Sequence, residues 1–117
     1  LEVRGSAVGA GEQPSLVEAL NRLWARFRPQ IEDRVAKLER AAAALAEGSL
    51  TPPQCEEATS AAHKLAGILG TFGLSEGTEL AREMEAFYAS GPGVHSASDR
   101  RPADVALQLR AILASRK

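Results

Sequence analysis

ATSAAHKLAGILGTFG, residues 58–73, carries both the period that decides the fold and the side chain on which a function can be built. Advancing about 100° per residue, Ala58, Ala61, Leu65, Ile68, Leu69 and Phe72 fall on one side, which predicts a helix with that stripe in a core. The opposite side is centred on His63 and holds Glu56, Thr59, Ser60, Ala66, Gly67 and Gly70. Glycine inside a helix costs about 1 kcal/mol relative to alanine, and an ordinary solvated face carries Lys, Glu or Gln instead. With Gly67 one turn beyond His63 and Gly70 two turns beyond it, another macromolecule's surface could reach the imidazole without meeting bulky side chains. A histidine merely solvated on a polar face fits the same spacing, so geometry alone leaves both readings open.

The flanking segments extend the helical reading in both directions. Thr51 followed by Pro52 and Pro53 marks the start of this helix, because a proline in the first turn sacrifices no intrahelical bond, and Glu56 and Glu57 suit the positive end of its dipole. Upstream, Ser15 and Glu18 form a capping-box pattern before Leu16, Leu20, Leu23, Trp24 and Phe27, which predicts a first helix. Pro29 should stop or bend it close to Arg28. A second helix is expected over about 30–47, with Ile31, Val35, Leu38, Ala42 and Leu45 inward and Gly48 as its stop. Downstream, Ser75 with Thr78 and Glu79 opens a helix that turns Leu80, Met84 and Phe87 inward and ends before Gly91-Pro92-Gly93. After a polar loop from His95 to Arg100, a last helix over about 102–115 buries Val105, Leu109 and Ile112. Residues 1–14, with Gly5, Gly9, Gly11 and Pro14, read as a linker or disordered lead-in to a domain over 15–117. The expectation is five helices, the last four forming an antiparallel bundle.

Composition agrees with one all-α domain. The chain has 117 residues, 44% of them apolar and mostly Ala and Leu, enough for a single core. Fourteen basic and fifteen acidic side chains leave a net charge of −1, so no global field attracts nucleic acid or an anionic membrane. The lone Cys55 cannot form an internal disulfide, and no apolar run is long enough to span a bilayer, which points to a cytoplasmic setting. The chain opens with Leu1, which suggests a piece of a longer protein.

Other chemistries find little support. Cys55, His63 and His95 lack the paired spacing of a zinc site, and Cys55 reads as a packing residue or a surface thiol before it reads as a nucleophile. The glycines from Gly67 to Gly73 are not a phosphate-binding loop, because no strand precedes them and no GK[ST] follows.

The segment Ala62-His63-Lys64-Leu65-Ala66-Gly67-Ile68-Leu69-Gly70-Thr71-Phe72-Gly73-Leu74 resembles the phosphoacceptor motif of histidine-containing phosphotransfer (HPt) domains. It has a histidine, a basic neighbour, glycine four residues on and an apolar-Gly-apolar close. The likeness extends over the helical pattern from about Ser15 to Lys117, since HPt domains are antiparallel four-helix bundles with an additional short N-terminal helix. It implies a phosphorelay intermediate, not an autonomous enzyme: His63 takes a phosphoryl group from a receiver-domain aspartyl phosphate or a kinase and passes it on. In many relatives a Gln or Glu 22 positions after the histidine contacts the other ring nitrogen, and here that residue is Glu85. Many members carry lysine three residues after the histidine, where this sequence has Ala66. Lys64 is the candidate for phosphate electrostatics, and equally a flank lysine paired with Glu57 or solvent. The docking face would comprise Thr59, Ser60, Ala66, Gly67 and Gly70.

The resemblance implies no cofactor or metal in this domain, with magnesium only on the receiver partner. The partners implied are a response-regulator receiver domain, a sensor histidine kinase or both, with no nucleic acid or membrane, and the domain is expected to be a monomeric part of a larger multidomain protein. Two alternatives stand beside it: the histidine-bearing domain of a larger chemotaxis-type kinase, and a non-catalytic helical interaction module whose glycine-rich face packs on a partner helix.

Overall fold

The computed structural model describes residues 15–116, so the lead-in expected over residues 1–14 lies outside the described residues. Four α-helices follow one another: α1 (Leu16–Ala46), α2 (Pro52–Thr71), α3 (Ser75–Ala89) and α4 (Arg101–Ser115), with a 3-10 turn at Pro92–Val94 between α3 and α4. The expected all-α bundle is therefore present. Its first two expected helices, however, are one.

α1 runs unbroken through Pro29. A proline inside a helix removes one backbone bond, here the one to the Ala25 carbonyl, and normally costs about 3 kcal/mol. Packing on both sides of the proline offsets that cost. Before it, buried Trp24 meets the Phe72 ring edge-on at 5.1 Å and Phe27 meets the same ring at 6.5 Å. After it, Ile31, Val35, Leu38, Ala41, Ala42 and Leu45 line the core. The separate short N-terminal helix is thus absent among the described residues, and its Leu16 and Leu23 are exposed.

The helix ends follow local chemistry. Ser15 and Glu18 exchange side-chain and backbone hydrogen bonds of 3.0 Å, completing the capping box at the start of α1. Thr51 and Gln54 form a second box at the start of α2, so Gln54 fills the position three residues into the helix and Glu56 and Glu57 lie beyond its first turn. Gly48 and Gly73 take φ of 73° and 71°, where a side chain is strained. Each closes a Schellman motif, with Ser49 N–H donating to Ala44 O at 2.8 Å and Leu74 N–H to Leu69 O at 3.0 Å. Ser75 lies inside α3 and makes no capping bond; the cap position is Leu74.

α2 packs most extensively on α3, while α1 contacts α2 and α4, and α4 closes against α3. Small residues let the helices approach: Ala41, Ala58, Ala62 and Ala66 are buried in the common core. At Gly77 an added Cβ would lie 2.9 Å from Leu69 Cδ1, so α3 begins hard against α2. Leu80 and Met84 are buried as expected, whereas Phe87 is half-buried and its neighbour Tyr88 occupies the core. Two bidentate ion pairs tie the helices on the outside, Arg110 to Glu39 at 2.8 and 2.9 Å and Arg101 to Glu83 at 2.6 and 2.7 Å.

Candidate functional site

His63 stands on the outer wall of α2 with its side chain 73% exposed. Its helical neighbours explain that placement: Ala62 and Leu65 are fully buried, which fixes the rotation of α2 and turns the imidazole outward. α3 lies alongside, and the burial of Leu80, Ala81 and Met84 presents Glu85 toward α2. Glu85 Oε2 lies 2.9 Å from His63 Nδ1, with the carboxylate side chain 34% exposed. In the neutral ring this contact places the proton on Nδ1, since a carboxylate can only accept. The other nitrogen, Nε2, then keeps its lone pair and has no hydrogen-bond partner within the described residues.

The residues expected around the ring as a docking face differ in exposure. Ser60, Gly67 and Gly70 are exposed, and Thr59 is half-buried with its hydroxyl donating to Cys55 O at 2.7 Å. Ala66, by contrast, is buried and belongs to the core cluster, because α3 covers that side of α2. It is not part of an accessible surface. A Cβ added at Gly67 would meet nothing within 4 Å, and one at Gly70 would make only ordinary contact with Thr78 Oγ1 at 3.7 Å. The missing side chains therefore leave open space above the helix; no internal neighbour requires them to be absent.

His63 forms a ridge between two grooves of opposite character. On one side a cavity of about 560 Å³ is lined by Glu56 and Glu85 together with Pro52, Tyr88, Ala89 and Pro92. Among the described residues no Lys or Arg lines it. The buried Tyr88 hydroxyl beneath it has no hydrogen-bond partner, and burial drives its pKa well above the ordinary phenol value. On the other side a groove of about 440 Å³ lies between α1 and α2, where Arg34 and Gln30 face Lys64, Gly67 and Thr71. Among the described residues no Asp or Glu lines that one. Lys64 is exposed and makes neither the pairing with Glu57 that its position allows nor any other ion pair among the described residues.

The remaining candidates fall elsewhere. Cys55 is buried, and desolvation pushes its thiol pKa up, which disfavours the nucleophilic thiolate. His95 stacks on Phe87 at 3.6 Å and its Nε2 contacts the Phe87 carbonyl at 2.7 Å, pinning it to α3. No group of three or more His, Cys, Asp or Glu side chains able to hold a metal ion occurs among the described residues. Nor is any described helix long and apolar enough to cross a membrane. Nothing in the sequence around Arg34 singles it out, since it belongs to a different helix and reads there as one more polar residue on the flank of α1.

Comparison with known proteins identifies a family. The family model described as "Hpt domain" matches residues 22–115. Protein RcaC of Microchaete diplosiphon is 37% identical over 78 residues, 67% of this chain. The matched region spans only 12% of that relative's length. No solved structure matches the chain significantly.

Proposed function

Since the chain belongs to the Hpt domain family, whose members carry phosphoryl groups on histidine in phosphorelays, we propose that His63 is its phosphoacceptor and that the domain relays phosphate between proteins. The observation that carries this reading is an exposed imidazole with one ring nitrogen held by a carboxylate and the other free. Glu85 accepts the Nδ1 hydrogen bond and so directs the Nε2 lone pair outward. Nε2 attacks phosphorus in line on a receiver's aspartyl phosphate; an N–P bond forms as the P–O bond breaks, and that electron pair leaves with the aspartyl carboxylate. The Nδ1 proton stays in place, and the Glu85 carboxylate balances the positive charge that develops on the ring. Transfer onward reverses these steps.

Phosphoryl transfer depends mainly on positioning and charge neutralisation. The metal and acidic pocket belong to the receiver, so this domain supplies an imidazole and a docking surface without being an autonomous enzyme. The partners in this reading are a receiver domain, a sensor kinase or both, in the cytoplasm, with the domain as one part of a multidomain protein. The test is incubation with a phosphorylated receiver: wild type acquires acid-labile phosphate and His63→Gln, folded by circular dichroism, acquires none. Labelling of His63→Gln at the wild-type level overturns the assignment.

A further inference from the structure

The two grooves beside His63 differ in charge, so a phosphoryl group carried outward on Nε2 meets unlike fields on its two sides. The groove over Tyr88 presents Glu56 and Glu85, which repel a dianion. The groove between α1 and α2 presents Arg34 and Lys64 and, among the described residues, no carboxylate. On α2 itself the residue one turn beyond His63 is the buried, uncharged Ala66. α1 supplies a cation instead. Its neighbouring charges neutralise one another, Arg28 with Glu32 at 2.8 Å and Lys37 with Asp33 at 3.2 Å. Arg34 alone of this group faces the groove, and among the described residues its one hydrogen bond is from Nη1 to the Gln30 carbonyl at 3.2 Å, which leaves the rest of its guanidinium donors uncommitted there.

Resting on the phosphoacceptor reading, we infer that Arg34 is a phosphoryl-binding residue: its guanidinium, with Lys64, holds the phosphoryl group carried by His63 in the groove between α1 and α2. Arginine suits this task because its planar fork donates to two phosphoryl oxygens at once. Gly67 forms the floor of the same groove, and with open space above its Cα the group can settle between the two helices. The glycine thereby clears room for the phosphoryl group as well as for a partner's surface.

The test uses phosphoramidate as donor, so that no partner protein contributes: Nε2 takes the phosphoryl group as the donor's P–N bond breaks, and ammonia leaves with a proton from water. Phosphorus-31 NMR of the labelled protein then follows the second ionisation of the phosphoryl group with pH. Nearby cations favour the dianion, so Arg34→Gln raises the midpoint and slows labelling by about tenfold, the effect of losing one charge-assisted hydrogen bond. Arg34→Lys recovers part of both, and Arg40→Gln, an exposed change on α1 outside the groove, leaves both at wild type. If Arg34→Gln matches Arg40→Gln in midpoint and rate while His63 is still labelled, Arg34 has no such role and the phosphoacceptor assignment stands. A wild-type protein that takes no phosphate on His63 overturns both.

Discussion

Glu85 Oε2 and His63 Nδ1 lie 2.9 Å apart across the α2–α3 interface, although 22 positions separate them along the chain. The contact makes the carboxylate responsible for which ring nitrogen carries hydrogen. Glu85→Ala is expected to let the imidazole sample both tautomers and to slow phosphoryl acceptance by about tenfold, the value of one hydrogen bond to a charged group. Glu85→Gln, whose side-chain carbonyl accepts the same bond without the charge, falls between the two. Nitrogen-15 shifts of the His63 ring report the tautomer, and transfer rates from a phosphorylated receiver report the chemistry; a wild-type tautomer in Glu85→Ala removes this role.

Gly67 separates stability from access. It lies in mid-helix with open space where a Cβ would be, so Gly67→Ala should stabilise the domain by about 0.5–1 kcal/mol through helix propensity alone. Gly67→Gln should keep most of that gain yet slow transfer by crowding the groove beside His63. Urea unfolding together with transfer kinetics checks the pair, and unchanged transfer in Gly67→Gln rules out clearance as the reason for the glycine.

Pro29 predicts a gain from its removal. Within the continuous α1 it leaves the Ala25 carbonyl without its helical donor, and its ring is exposed. Pro29→Ala restores the N–H and is expected to raise stability by about 1–3 kcal/mol. A fall in the thermal midpoint would show instead that the proline shapes a path of α1 that the packing of Trp24 and Ile31 requires.

Acid should weaken the external ties. Arg110 and Arg101 hold the carboxyls of Glu39 and Glu83 below their ordinary value of 4.5. A folded-state pKa that is depressed contributes stability in full above the unfolded value, and loses it as pH falls through the folded one. The Glu39–Arg110 pair is partly solvent-screened, so Glu39→Gln should cost about 0.5 kcal/mol near neutrality. The difference between wild type and Glu39→Gln should shrink below pH 4.5 as the wild-type carboxyl takes up its proton, and chemical denaturation across that range measures it. A difference independent of pH would mean that side-chain packing, and not charge, accounts for the loss.

Sequence periodicity identifies α2, α3 and α4 because each has a single apolar stripe and a definite stop, as Gly73 and Gly91 illustrate with their left-handed φ values of 71° and 88°. It fails at Pro29, since local backbone preference opposes the helix there and only contacts distant in sequence, such as Phe72 on Trp24, restore it. It fails again at Ala66, which a helical wheel places near His63 but which the neighbouring α3 covers. The proximity of Glu85 to the histidine follows from the family resemblance, not from spacing. Arg34 has no counterpart in either source, because what distinguishes it is a groove shared between two helices.

Three residues, Phe72 to Leu74, join α2 to α3, and at Gly77 the Leu69 side chain of α2 already fills the space that a Cβ would take. Within the folded domain the short connection and the 2.9 Å contact of Glu85 with His63 hold the imidazole turned outward. In the proposed relay the domain is then a fixed post and not a clasp. Differences in speed among the proteins that exchange phosphate with it should then originate in how those proteins approach and reorganise.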